Sequence, residues 1–217
     1  MRSAAFSLPL VALACAGSAQ AATVTLDVDG AYREIAPRTY FVPGGSEVGL
    51  RGSLLDDAGV AGATCLEALR QPLGVATWTS DGVWCPAGAW TGGVRVTENV
   101  RLKAAVVPDA RNGAAESDVL TLLTAPRLTW TRSHGALRFD VARGADDYRG
   151  TLTVRERGRV VARTRVAGGA ARSLRLGSTR RFTATLKPSD PARWTAVAAT
   201  GRAGRSGSAR PLSPAAA

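Results

Sequence analysis

Residues 151–166 read TLTVRERGRVVARTRV. Leu152 and Val154 alternate with threonine and arginine, and Val160 to Val166 continues in the same style, the period-two signal of half-buried strands. Glu156-Arg157-Gly158-Arg159 separates the two runs, and a glycine there supplies the positive φ that a tight hairpin turn requires. The stretch predicts an antiparallel hairpin with one apolar and one polar face.

The same signal extends in both directions. Upstream, Val24, Leu26 and Val28 alternate with Thr25 and Asp27, and Val48, Leu50 and Leu54 follow a Val-Pro-Gly-Gly turn at 42–45. After the Asp56-Asp57-Ala58-Gly59 turn come ATCLEAL (63–69), VATWT (75–79), a Ser80-Asp81-Gly82 turn, GVRVT (93–97), VRLKAAVV (100–107) and DVLTLL (118–123). Downstream of Ala125, strands are read at Leu128 and Trp130, at Leu137, Phe139 and Val141, at Leu174 and Leu176, at Phe182 to Leu186 and at Trp194 to Ala198. No stretch carries the three-to-four spacing of a helix. Short strands with Gly, Pro and Asp at the breaks argue for an antiparallel sandwich. The expected fold is therefore all-β: two tandem antiparallel Ig-like β-sandwiches over residues 22–124 and 125–200, preceded by a signal peptide at 1–21 and followed by a flexible tail at 201–217.

Residues 42–124 carry VPGGSEVGLRGSLLDDAGVAGA, TWTSDG, VTENVRLKAAV and ESDVLTL. In these features the chain resembles the bacterial Ig-like repeats of secreted actinobacterial surface proteins, with their G-x-x-V-x-L-x-G-x-L strand and their D-x-x-G and T-x-x-D-G turns. The resemblance implies a sandwich used as a spacer, adhesion or accessory module, with no catalytic residues to carry over. Residues 125–200 share only the general style, and Cys65 and Cys85 stand twenty apart, unlike the widely separated cysteines of antibody domains.

Met1-Arg2, the apolar run at 4–17 and Ala19-Gln20-Ala21 have the layout of a cleavable secretory leader. The apolar run is shorter than the roughly 20 residues of a spanning helix. Loss of Cys15 with that leader leaves Cys65 and Cys85, which are expected to pair in an oxidising compartment. A secreted, extracytoplasmic protein, associated with the cell surface or released, is the expectation.

Charge is segregated along the chain. Of 28 basic and 17 acidic residues, residues 22–124 hold eight and twelve, a net of −4, while residues 125–217 hold nineteen and five, a net of +14. Arg138, Arg155, Arg163, Arg165, Arg175 and Arg181 alternate with apolar residues, which places them on solvent-facing sides of sheets and makes them candidates for a polyanion-binding face. Against this stands a compositional reading, since 26 of the 28 basic residues are arginine in a chain rich in Ala, Gly and Arg. Specific nucleic-acid recognition is not expected. Trp130, Phe139, Phe182 and Trp194 alternate as core residues do instead of forming a stacking platform.

Signatures of chemistry are sparse. There is no G-x-S-x-G, G-x-G-x-x-G, P-loop or H-E-x-x-H pattern, and the single histidine, His134, lies in a turn-like Arg-Ser-His-Gly. Asp27-Val28-Asp29-Gly30 and Asp56-Asp57 lack the spacing of a calcium loop and read as turn aspartates. No catalytic residue, metal or cofactor is expected. Trp78, Trp84 and Trp90 cluster around Cys85 and are either core aromatics packed near the disulfide or a contact surface for sugar or protein. The function expected is non-enzymatic binding or adhesion at the cell envelope, the basic half contacting anionic polymers; the alternative is a structural or accessory spacer bound to one specific protein.

Overall fold

In a computed structural model, the described residues are 23–55, 65–86, 88–108, 113–133, 136–141, 147–175, 181–202 and 204–212; the expected leader, Asp56-Asp57 and His134 lie outside them. Among the described residues there is no helix, and hence none long and apolar enough to cross a membrane.

The first sandwich is built from β1 (Thr23–Asp29), β2 (Arg33–Ala36), β3 (Thr39–Pro43), β4 (Ser46–Leu55), β5 (Leu66–Pro72), β6 (Thr79–Trp84), β7 (Ala89–Val96), β8 (Val100–Val106) and β9 (Leu120–Ala125). One sheet has the order β1-β4-β7 and the other β2-β3-β9-β8-β5-β6. The chain enters on the first sheet and crosses to the second, where β3 lies parallel to β9. Arg38 holds this crossing, its guanidinium donating to the carbonyls of Leu26, Asp118 and Val119. Alternate residues point inward, Val24, Leu26 and Val28 from β1 against Val100, Leu102, Ala104 and Val106 from β8, which is the burial that period-two sequences produce.

The second sandwich follows after Pro126-Arg127. Its strands are β10 (Leu128–Ser133), β11 (Ala136–Val141), β12 (Arg149–Glu156), β13 (Arg159–Ala167), β14 (Ala171–Leu174), β15 (Arg181–Pro188), β16 (Val197–Arg202), β17 (Gly207–Ser208) and β18 (Arg210–Pro211). The sheets run β14-β11-β10-β17 and β13-β12-β15-β16-β18. The core holds Leu128, Leu137, Leu152 and Leu186 around Phe182, which meets Trp130 and Phe139 edge-on at 5.5 and 5.6 Å. Thus the four aromatics read as core, Trp194 among them, are buried. The two hydrophobic cores part between Leu122 and Ala125.

Three local expectations are corrected. Ser80-Asp81-Gly82 is no turn but the middle of β6, where Gly82 takes φ +140° and the pairing with β5 slips by one residue. Such a bulge uses the glycine that the sequence presents as a turn residue. Strands expected from Val75 and Trp194 begin only at Thr79 and Val197. Residues 201–202 and 204–212 are no mobile tail: β17 pairs with β10 and β18 with β16, so the returning chain bridges an edge of each sheet. Gly207 serves there as a gap, since a Cβ at that position would overlap the Trp130 ring. Composition marks such a stretch as loose because close approach and looseness both favour glycine.

Candidate functional site

In the β12–β13 hairpin, Glu156 faces Arg159 across a two-residue turn with φ +49° at Arg157 and +80° at Gly158. Positive φ at both central residues is the geometry whose twist matches the flanking strands. The hairpin and β15 turn Leu152, Val154, Phe182, Ala184 and Leu186 into the core, so their neighbours must face solvent.

Register assembles those neighbours into rows. Arg165, Thr151 and Lys187 are cross-strand partners, as are Arg163, Thr153, Thr185 and Ala198, then Arg155, Thr183 and Thr200, and finally Arg181 and Arg202. Rows lie roughly 6.7 Å apart along a strand and columns about 4.8 Å apart across the sheet. The arginines and Lys187 are exposed, and no described carboxylate alternates onto this face of the sheet. The surface is a lattice of cations with hydroxyls between.

Of the six arginines singled out in the sequence, Arg155, Arg163, Arg165 and Arg181 are brought together here. Arg138 belongs to the opposite sheet, where its Nε donates to Asp140 Oδ1 at 2.9 Å, and Arg175 follows the last residue of that sheet's edge strand β14. The period-two rule put all six on solvent faces but could not say which sheet each strand joins. Lys187 and Arg202, which the sequence reading passed over, complete the lattice; Arg202 was obscured by assignment to the tail.

The three tryptophans do not form one platform. Trp90 is buried and meets Trp84 at 5.1 Å, edge to face, between β7 and β6. The pair lines a cleft of about 380 Å³ with Leu26, Leu50, Val83 and Lys103. Trp78 instead lies under Lys103, whose Nζ is 4.8 Å from the ring centre and donates to Glu116 Oε1 at 2.6 Å. Cys65 and Cys85 form a disulfide one position beyond the Leu66–Trp84 pair, clipping the open end of the β5–β6 hairpin within one sheet instead of tying two sheets together.

The sandwiches meet over a polar junction. Asn99 is buried; its Oδ1 accepts from the Thr124 N–H at 2.8 Å and from the Thr195 hydroxyl at 3.4 Å, and its own N–H donates to Arg193 O at 2.7 Å. Arg193 reaches Glu98 at 2.7 Å and Asp147 at 2.6 Å, and the bond to the Glu98 carboxylate raises its already high pKa. Trp194 packs on Gly44 so closely that a Cβ there would lie 2.8 Å from the ring.

Asp27 Oδ1 is occupied by the Val28 N–H at 2.8 Å and the Tyr40 hydroxyl at 3.3 Å, and no described cluster of three His, Cys, Asp or Glu residues could hold a metal.

Fold and surfaces together define a tandem β-sandwich protein with a cationic sheet face on its second sandwich. The fibronectin(III)-like modules of CbhA from Clostridium thermocellum are similar over 82% of this chain and 92% of their own, at 15% identity and a TM-score of 0.33. No family model and no curated protein matches, those of the bacterial Ig-like repeats that residues 42–124 resemble included.

Proposed function

We propose that this is an exported, non-enzymatic binding module of the cell envelope whose second sandwich holds anionic polymer. The observation that carries the reading is the lattice of Arg155, Arg163, Arg165, Arg181, Lys187 and Arg202 on one sheet face, free of carboxylates among the described residues. A face of one sign focuses potential and attracts a polyanion. Its hydroxyl rows, Thr151, Thr153, Thr183 and Thr185, offer neutral hydrogen bonds between the charges. The leader-like residues 1–21 and the Cys65–Cys85 disulfide support export, because disulfides persist in oxidising compartments.

The test is retention of the full chain on an immobilised poly(glycerol phosphate) against salt, with a plain cation exchanger as control. Changing Arg155, Arg163 and Arg165 to Gln should lower the eluting salt well below that of the charge-matched R138Q/R172Q/R175Q variant, which alters the opposite sheet. Equal losses in the two variants would mean that only net charge matters. A second reading, a spacer docked to one protein, is favoured by the Trp84–Trp90 cleft. It would give salt-insensitive binding lost on Trp84→Ala.

A further inference from the structure

Strand direction gives the second sandwich two unlike poles. β12 starts at Arg149, beside the Asp147–Arg193 pair of the junction, and ends at Glu156, roughly 23 Å away at the usual rise per residue. The antiparallel register brings the start of β15 and the end of β16 to that same far end, while β10, which leaves the linker at Leu128, ends there as well. Arg132, Arg155, Arg157, Arg159, Arg181, Arg202 and Arg205 therefore gather at the pole farthest from the first sandwich, all exposed, with Glu156 the one described carboxylate among them.

Two features there exceed a plain basic surface. One is a cavity of about 370 Å³ lined by Arg181, Arg202, Arg205, Thr200, Ser206 and Trp130. The Trp130 indole N–H donates to Arg205 O at 2.9 Å, fixing the loop that closes the cavity. Three arginines, a threonine and a serine around one concavity suit the oxygens of a phosphate group. The other is Val160 and Val161 on edge strand β13, 53% and 44% exposed. Alternation would turn one of them inward. But Arg155 pairs with Val160 and Val154 with Ala162, so Val161 is the extra residue of a bulge, and both valines face outward beside the arginines.

We propose that this pole docks on an anionic lipid bilayer, the cavity taking a phosphate headgroup and the two valines entering the apolar boundary. The charge of the pole is complementary to such a surface, and clusters of four to eight basic residues are the usual device for it. A soluble polyanion satisfies the arginines but gives the valines nothing. A bilayer satisfies both. The inference shares Arg155, Arg181 and Arg202 with the lattice of the polymer reading and goes beyond it through the cavity at Arg205 and the two valines.

Flotation of the full chain with phosphatidylcholine vesicles holding about 30% phosphatidylglycerol tests it. Wild type should float with these and stay behind with phosphatidylcholine alone. V160S/V161S should weaken partition about tenfold, as loss of partial valine burial implies, without changing poly(glycerol phosphate) retention. R202Q/R205Q should weaken it about thirtyfold. Both sites are exposed, so wild-type thermal midpoints are expected and verify the fold. Retention on the polymer with no flotation, or flotation indifferent to the valines, would overturn the bilayer inference and leave the polymer reading standing. Valine-dependent flotation without polymer retention would do the reverse.

Discussion

Single residues hold the hairpin that carries half of the cationic lattice. Gly158 occupies the left-handed region at φ +80°, with open space where a Cβ would stand, so its constraint is purely backbone. A branched side chain is disfavoured there: Gly158→Val should cost about 1–2 kcal/mol, read as a lower urea midpoint. Arg157, at φ +49°, sits in the same region without the freedom of glycine, and Arg157→Asn should be neutral or mildly stabilising because asparagine tolerates that region better. The turn was legible before the fold was known, since Gly158 and the flanking alternation point to the same hairpin. The positive φ of Arg157 was not, because no arginine announces it; the two-residue loop imposes it.

Elements show where local patterns are ambiguous. β6 was half read: Trp84 and Val83 belong to a strand, yet Ser80-Asp81-Gly82 carries the composition of a turn. Whether such residues end a strand or bulge it depends on a partner strand, here β5. The disulfide across that hairpin holds its open end, and a closed loop of about twenty residues is worth about 3 kcal/mol in the chain-entropy model. Under reduction, thermal unfolding should shift downward by several degrees, and amide exchange should rise first in β5 and β6, beside the Trp84–Trp90 cleft. Unchanged exchange there would show that the β5–β8 ladder alone secures the sheet.

Across the whole molecule, the junction sets how the two sandwiches present their surfaces. Asn99 satisfies buried donors from both, and its replacement leaves the Thr124 N–H without an acceptor. Asn99→Ala should cost about 1–3 kcal/mol and, combined with Arg193→Gln, broaden the distance distribution in solution scattering, because the linker alone is only Pro126-Arg127. An unchanged distribution would mean that Trp194 on Gly44 suffices to hold the angle.

The sequence by itself determined what depends on neighbours along the chain: the strand period, the Glu156–Arg159 turn, the core aromatics, and the excess of arginine after Ala125. Only the tertiary structure decided what depends on partners far away in sequence. Pairing of β12 with both β13 and β15 sorted Arg155, Arg163, Arg165 and Arg181 onto one face, while Arg138 went to the opposite sheet and Arg175 fell just past its edge strand. Trp130 drew residues 205–208 back into the sheet through one hydrogen bond and the gap at Gly207. Side-chain alternation assigns a residue to a face, but which face and beside whom is set by strand order, and strand order is decided by the burial of whole sheets.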